Sequence, residues 1–325
     1  MNRHSRRFIA GLIAVLAIAG TAVSALAFPT KPIRIIVTSA AGANLDVVTR
    51  ALAEQMSRTL GQQVIVENVT GAGGLIAIRQ VARQAPADGY TLLAASNTVA
   101  LVPAFKKDPG YDPARDLVGI ADTQTVPYIL VGPASRPEKT LAEMLASAKA
   151  QPGALSIANG GIGTSTHLPA LMLTQQAGIN MIHVPYRGNA NALPDVVGGR
   201  AHLLFDAGVT AIPMIRDGKL KAYGVSTSNR VSYFPNIPTL AEQGLPAYDF
   251  KAYMGLFAPA GTPKEVIARL HEAARAAART DALRDVYQRG GSEPGTMSPD
   301  EFTAFIRRDA AASARIVSEL GIVKD

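Results

Sequence analysis

The sequence predicts an α/β protein, each part of it a mostly parallel sheet flanked by helices. Three observations predict it. Apolar β-branched runs such as Ile33-Arg34-Ile35-Ile36-Val37 alternate with stretches of helical period. The turns between them are short and rich in Gly, Pro, Asn and Asp, as at Pro86-Ala87-Asp88-Gly89. The chain, 325 residues of which 48% are hydrophobic and 18% charged, is long enough for a large core or two ordinary domains.

Residues 1–27 read as a secretory leader to be removed. Arg3, Arg6 and Arg7 form its basic end, Phe8 to Gly20 its apolar stretch, and Ala25-Leu26-Ala27 a small-residue cleavage site. The apolar stretch is shorter than the roughly 20 residues that span a bilayer, and Ser5-Arg6-Arg7-Phe8-Ile9 resembles a twin-arginine signal, which leaves the export route open. Of the net charge of +7 the leader carries three, leaving +4 on the rest. That excess favours small anionic ligands slightly. It gives no basic stripe with interleaved aromatics for nucleic acid. With no cysteine, disulfides, thiolate chemistry and lipidation at a cysteine are excluded.

The elements follow in order. Val47, Val48, Ala51, Leu52, Met56 and Leu60 recur at near-helical spacing after the first strand, with Asn44 or Asp46 where an N-cap belongs. Val64–Glu67 is a strand, Gly71–Gly74 a tight turn, Leu75 to Ala85 a helix, and Tyr90–Ala94 a third strand. Pro103 to Asp116 reads as an irregular surface connection. Tyr128–Val131 is a strand, and Thr140 with Glu143 forms a capping box opening a helix to Ala150. Leu155–Ala158 and Ala201–Phe205 are strands, with helices through about Gln176 and from Asn191 to Val197. Met254–Ala258 precedes a helix from Lys264 to Thr280, and a last helix runs from Pro299, after Ser298, to about Leu320 before Gly321.

Two strand-to-helix loops stand out as anion cradles: Thr38 to Asp46, and Asn159 to Thr166. The first turn of a helix leaves several N–H groups without intrahelical partners, and the aligned peptide dipoles place partial positive charge there. Small residues in the first loop and three hydroxyls in the second let a carboxylate or phosphate reach those groups. The Gly71–Gly74 cluster lacks the Lys-Ser or Lys-Thr of a phosphate loop.

The pieces KPIRIIV, VENVTGAGG, PADGYTLL, GTSTHL, HVPYRGNA, GGRAHLLFD, NIPTLAEQGLP and APAGTP, in this order and spacing, resemble the tripartite tricarboxylate transporter substrate-binding family, the Bug receptors, over essentially all of the chain after the leader. The resemblance implies a two-lobed periplasmic binding protein of the type II, Venus-flytrap kind. It places 28–127 with 253–325 in one lobe, 128–252 in the other, and the ligand in the cleft between them. It also implies that the same two loops grip a ligand carboxylate. Family members usually carry a proline-rich, double-glycine first loop. Here it is Thr38-Ser39-Ala40-Ala41-Gly42-Ala43-Asn44-Leu45-Asp46, which shifts the hold toward side chains.

The candidate ligand-binding set is Thr38, Ser39, Ala41, Gly42, Asn44, Asp46, Ser96, Asn159, Gly163, Thr164, Ser165, Thr166 and Asp206. Each has a plainer reading. Asp46 and Arg50 form an i,i+4 pair that supports a helix on its own account, and Asp206 is a liability beside a carboxylate unless it takes a ligand donor or caps nearby amides. Tyr128 and Tyr253 either line the pocket or pack the hinge, while Arg187 and Arg200 either meet a distal carboxylate or are simply solvated. His4, His183, His202 and His271 are too dispersed for a metal, and neither metal nor cofactor is expected.

These readings converge on a monomeric exported receptor, not an enzyme. It takes a small di-, tri- or aromatic carboxylate by cleft closure and, by resemblance, delivers it to a two-subunit, ion-gradient-driven permease. The rivals are a receptor that presents its closed form to a sensor kinase, and a hydrolase built on Ser165 and His167.

Overall fold

The computed structural model describes residues 28–322 and 324; the leader assigned to 1–27 lies outside the described residues. Among the described residues ten strands form one continuous sheet in the order β2-β1-β3-β9-β4-β7-β5-β6, with β8 and β10 also paired to β4. In chain order the elements begin with β1 (Ile33–Val37), α1 (Asn44–Leu60), β2 (Val64–Asn68), α2 (Leu75–Arg79, continuing as a π-helical turn Gln80–Gln84), β3 (Thr91–Ser96) and α3 (Thr98–Phe105). Next come β4 (Leu117–Pro133), α4 (Leu141–Ala150), β5 (Ser156–Asn159), α5 (His167–Ala177), β6 (Ile182–Pro185), α6 (Asn189–Val197), β7 (Leu203–Ala207) and α7 (Gly208–Arg216). The chain closes with β8 (Leu220–Val225), β9 (Lys251–Pro259), α8 (Lys264–Ala278), α9 (Asp281–Gly290), β10 (Glu293–Pro294) and α10 (Pro299–Glu319).

β1 is buried on both faces. Ile33, Ile35 and Val37 pack with Leu52 and Met56 of α1, while Ile36 points the other way, against Ile78, Val81 and Phe302, as the two-residue period of a strand requires. Helices cover both sides, and the fold is the expected two-lobed α/β architecture. β2-β1-β3 and β6-β5-β7 are parallel. β4 and β9 run antiparallel to their neighbours, so the complete sheet is mixed.

β4 joins the two halves. Its residues Leu117 to Pro127 pair with β9, Pro127 opposite Lys251. From Tyr128 onward it pairs instead with β7, and from Ile129 with β8. Pro127, which cannot donate to a ladder, stands at the handover. The sequence pattern located only Tyr128–Val131 of this strand, because Asp122, Thr123 and Gln124 are buried polar residues that interrupt any apolar run.

Pro103 likewise concealed α3. A proline inside a helix removes the hydrogen bond to the carbonyl four residues back. Here that carbonyl belongs to Val99, and the buried Tyr111 hydroxyl donates to it at 2.8 Å. The capped helices are as expected. Thr140 Oγ1 accepts the Glu143 N–H, and Ser298 with Glu301 closes a full capping box with Pro299 in the first turn.

The first helix differs. Neither Asn44 nor Asp46 caps it: the N-cap position is Ala43, which has no side-chain bond to offer. Among the described residues no helix is long and apolar enough to cross a membrane.

Candidate functional site

A cavity of about 110 Å³ lies where the two halves of the sheet face each other. From the β1 side it is lined by Thr38, Ser39, Ala43, Asn44 and Leu45, by Thr70 to Gly74, and by Ser96 and Thr98. From the β5 side come Gly160, Thr164, Ser165 and Thr166, then Tyr186 to Asn189, then Asp206 and Ala207; Tyr128 and Met254 complete the wall. The two sides touch at glycines. Gly73 has φ +65°, and a Cβ there would fall 2.4 Å from the Ile162 carbonyl oxygen; a Cβ on Gly188, φ +100°, would fall 3.3 Å from the Ala40 nitrogen. Only a residue without a side chain permits such approaches.

Hydroxyls tie the two sides together. Tyr128 OH donates to Ser165 Oγ at 2.8 Å, Ser96 Oγ and Thr98 Oγ1 share a bond of 2.9 Å, and the Ser165 N–H donates to Thr98 Oγ1 at 3.3 Å. His167 is not aimed at Ser165. Its Nδ1 accepts the Gly163 N–H at 3.3 Å, and its ring packs on Phe105 and His183 at centroid distances of 5.2 and 5.8 Å. Burial, with His183 beside it, pulls its pKa down to about 4. Serine and imidazole therefore lack the mutual hydrogen bond on which nucleophilic catalysis relies.

Asp206 sits in the wall, buried. Its Oδ1 accepts from Asn189 Nδ2 and its Oδ2 from Thr210 Oγ1, each at 2.7 Å. Burial nonetheless pushes its pKa up to about 6, because removing a carboxylate from water disfavours the charged form.

The helix starts give the cavity its electrostatic character. Five helices of eight residues or more, α1, α3, α5, α6 and α7, begin at it, through Asn44, Thr98, Thr166, Gly188–Asn189 and Ala207, and the short α2 starts there as well, after Gly74. None of the five has a side-chain cap, and only α1 has an acid in its first turn, Asp46. Asp46 is spoken for. It bonds Arg50 Nε at 2.9 Å, Asn68 Nδ2 at 2.8 Å and the Gly42 N–H at 2.9 Å. Burial acts to raise its pKa, but these three partners outweigh it and hold the carboxyl below its ordinary value. Within the first turns of these helices the one acid is thus engaged elsewhere, and Asp206, at the end of β7, is the carboxylate that remains in the cavity wall.

Of the residues singled out in the sequence, Thr38, Ser39, Asn44, Ser96, Thr164, Ser165, Thr166 and Asp206 line the cavity. Ala41 and Gly42 are exposed at the outside of their loop. Asp46 faces Arg50 and Asn68, Asn159 Oδ1 accepts the Gly161 N–H at 3.0 Å, and Gly163 packs on Val102 and Phe105. These five shape the loops and do not line the cavity.

Of the two open tyrosines, Tyr128 lines the wall, whereas Tyr253 donates to Asp309 and packs on Phe302 and Phe305. Arg187 is at the cavity's exposed edge; Arg200 pairs with Asp195. Thr70 to Gly74, Thr98, Tyr186, Gly188, Asn189, Ala207 and Met254 were not anticipated. Tyr186 to Asn189 did carry a signal, since the segment follows one strand and opens a helix as the first two loops do. Among the described residues no cluster of three His, Asp or Glu side chains could hold a metal ion.

Residues 48–322 match the family described as the tripartite tricarboxylate transporter family receptor. The fold is similar to the periplasmic binding protein BugD, with TM-score 0.88 and 32% identity over 92% of this chain and all of that one. It is similar to MatC from Rhodopseudomonas palustris with bound malate, with TM-score 0.85 and 30% identity over 89% of this chain and all of that one. A further R. palustris protein, with adipate, is similar at TM-score 0.87 and 28% identity, over 92% of this chain and all of that one.

Proposed function

The chain belongs to the tripartite tricarboxylate transporter receptor family, and from that premise we propose that it captures a small organic dicarboxylate in the cavity between its lobes and hands it to a two-subunit membrane permease. One observation carries the ligand's charge. Five helix starts meet at one cavity with no acid in their first turns except Asp46, which is already neutralised. An anion there satisfies orphan N–H groups and the dipoles together.

In this reading Ser39, Asn44, Ser96, Thr164, Ser165 and Thr166 position the first carboxylate, and Arg187, at the cavity's edge, meets the second. Ser39 Oγ is buried without a partner, which suits a hydroxyl whose bond is made by the ligand. Malate in MatC and adipate in the second R. palustris protein support the dicarboxylate class. The lobes meet at the Pro127–Tyr128 handover and at the start of β9, which act as the hinge. Contacts from both lobes exist together only in the closed form, so binding shifts the open–closed equilibrium by that differential affinity. The receptor works as a monomer in the periplasm, after removal of residues 1–27.

A thermal-shift screen of the chain from Phe28 against mono-, di- and tricarboxylates, at fixed pH and salt, tests this. A ligand at about 100 times its dissociation constant adds roughly 2.7 kcal/mol of stability, and a dicarboxylate should produce that rise. A melting temperature raised by neutral or cationic solutes, and by no carboxylate, would overturn the reading.

A further inference from the structure

The cavity wall formed by α6 and the end of β7 has a chemistry that a plain dicarboxylate does not match. Asn189 Nδ2 donates both to the Phe205 carbonyl at 3.0 Å and to Asp206 Oδ1 at 2.7 Å. Both partners are acceptors, so the amide orientation is determined: the nitrogen faces them and Oδ1 faces away. That Oδ1 is buried and has no hydrogen-bond partner. Asp206 has capacity to spare. Its oxygens accept one side-chain bond each, from Asn189 and from Thr210, and a backbone bond from Ala207, whereas an ionised carboxylate has about four lone-pair sites. Asn189 and Asp206 both line the cavity.

This wall therefore offers acceptors beside the donors that the helix starts and hydroxyls supply. An ionised dicarboxylate with an unsubstituted chain brings only acceptors. It would leave Asn189 Oδ1 unpaired and set its own negative charge near Asp206. A site built to hydrogen-bond a donor rejects the analogue that lacks it, because its buried polar groups are then left without partners.

We infer that Asn189 and Asp206 determine specificity by selecting carboxylates that carry a hydrogen-bond donor, a hydroxyl or an ammonium, on the carbon chain. The inference rests on the carboxylate reading of the same cavity and narrows it. The helix starts and Ser39 hold the carboxylate, while Asn189 Oδ1 and Asp206 read the substituent.

Two matched series separate the two claims by calorimetry at pH 7.5: succinate, malate and aspartate, and adipate, 2-hydroxyadipate and 2-aminoadipate. In at least one series the hydroxyl or ammonium member should bind the wild-type chain tenfold or more tightly than its unsubstituted parent. Asp206→Asn should shrink that preference at least tenfold, and the ammonium compound should lose most. The ratio in the unaltered protein tests the inference even if the variant folds poorly. Parents binding as tightly as their substituted partners, or Asp206→Asn weakening every compound alike, would overturn the inference and leave the carboxylate reading standing. Binding by no compound of either series would overturn both.

Discussion

The helix starts at the cavity and those away from it are built to opposite rules. Away from the cavity, α4, α8, α9 and α10 each place an acid in the first turn: Glu143, Glu265, Asp281, and Asp300 with Glu301. Two of them add a capping hydroxyl, Thr140 and Ser298. At the cavity, α3, α5, α6 and α7 have neither cap nor acid, and the one acid of α1 is turned to Arg50 and Asn68. Lack of a cap alone does not set the two groups apart, since α8 and α9 also lack one. What does is the first-turn acid, present at each of these peripheral starts and, at the cavity, only as the engaged Asp46. In the proposed function it is the central helix ends, left without such acids, that a ligand's negative charge completes.

The sharpest way to break this contrast is to give a cavity helix the cap that the peripheral ones have. Ala43 has the extended backbone of an N-cap, φ −71° and ψ 158°, and it lines the cavity. Ala43→Asp should add about 1 kcal/mol of stability as a cap. By placing a like charge in the anion seat it should also weaken carboxylate binding about a thousandfold, ~4 kcal/mol. Melting curves and calorimetry on one sample would show stability and affinity moving in opposite directions. Unchanged affinity would mean that the anion sits elsewhere.

A smaller effect comes from acid. His167, the first residue of α5, titrates near 6.5 when unfolded and near 4 when folded, so in between the unfolded chain binds the extra proton. The contribution of His167 to stability should therefore fall as pH drops from 6.5 to 4, by on the order of 3 kcal/mol, against the opposite contribution of Asp206, whose folded pKa is raised. His167→Gln should remove that contribution, seen as a stability difference between wild type and variant that changes across the range in urea melts; a difference that stays constant with pH would assign the effect to other groups. The smallest effect belongs to the periphery. Ser298→Ala should cost about 1 kcal/mol of stability and leave ligand affinity untouched, and a loss of affinity there would blur the distinction between the two classes of helix start.

What was legible in the sequence was whatever a few neighbouring residues decide. The β1 strand, the Thr140 and Ser298 caps and the strand-to-helix form of the first two loops are local, set by residue types within one turn or one strand. The misplaced cap of α1 shows where that reach stops. Asp46 has the residue type of a capping group, yet Asn68, far along the chain at the end of β2, and Arg50 claim its carboxylate. Gly71 to Gly74 reads as an ordinary turn, and the approach of Ile162 across the cavity adds to the positive φ of Gly73 a second reason why it tolerates no side chain.

By itself, then, the sequence determined the α/β class, the family, and the loops from which an anion site could be assembled, because periodicity, turn chemistry and helix-end chemistry act over a few residues. Only the tertiary structure decided which groups remain unsatisfied. It turned Asp46 and Asn159 to structural partners, brought Tyr128 to Ser165, and left Asn189 Oδ1 without a donor. The physical reason is that a hydrogen-bonding group's role is set by what competes for it. In this chain the competitors come from strands and helices far apart in sequence and are juxtaposed only when the two halves of the sheet close on one another.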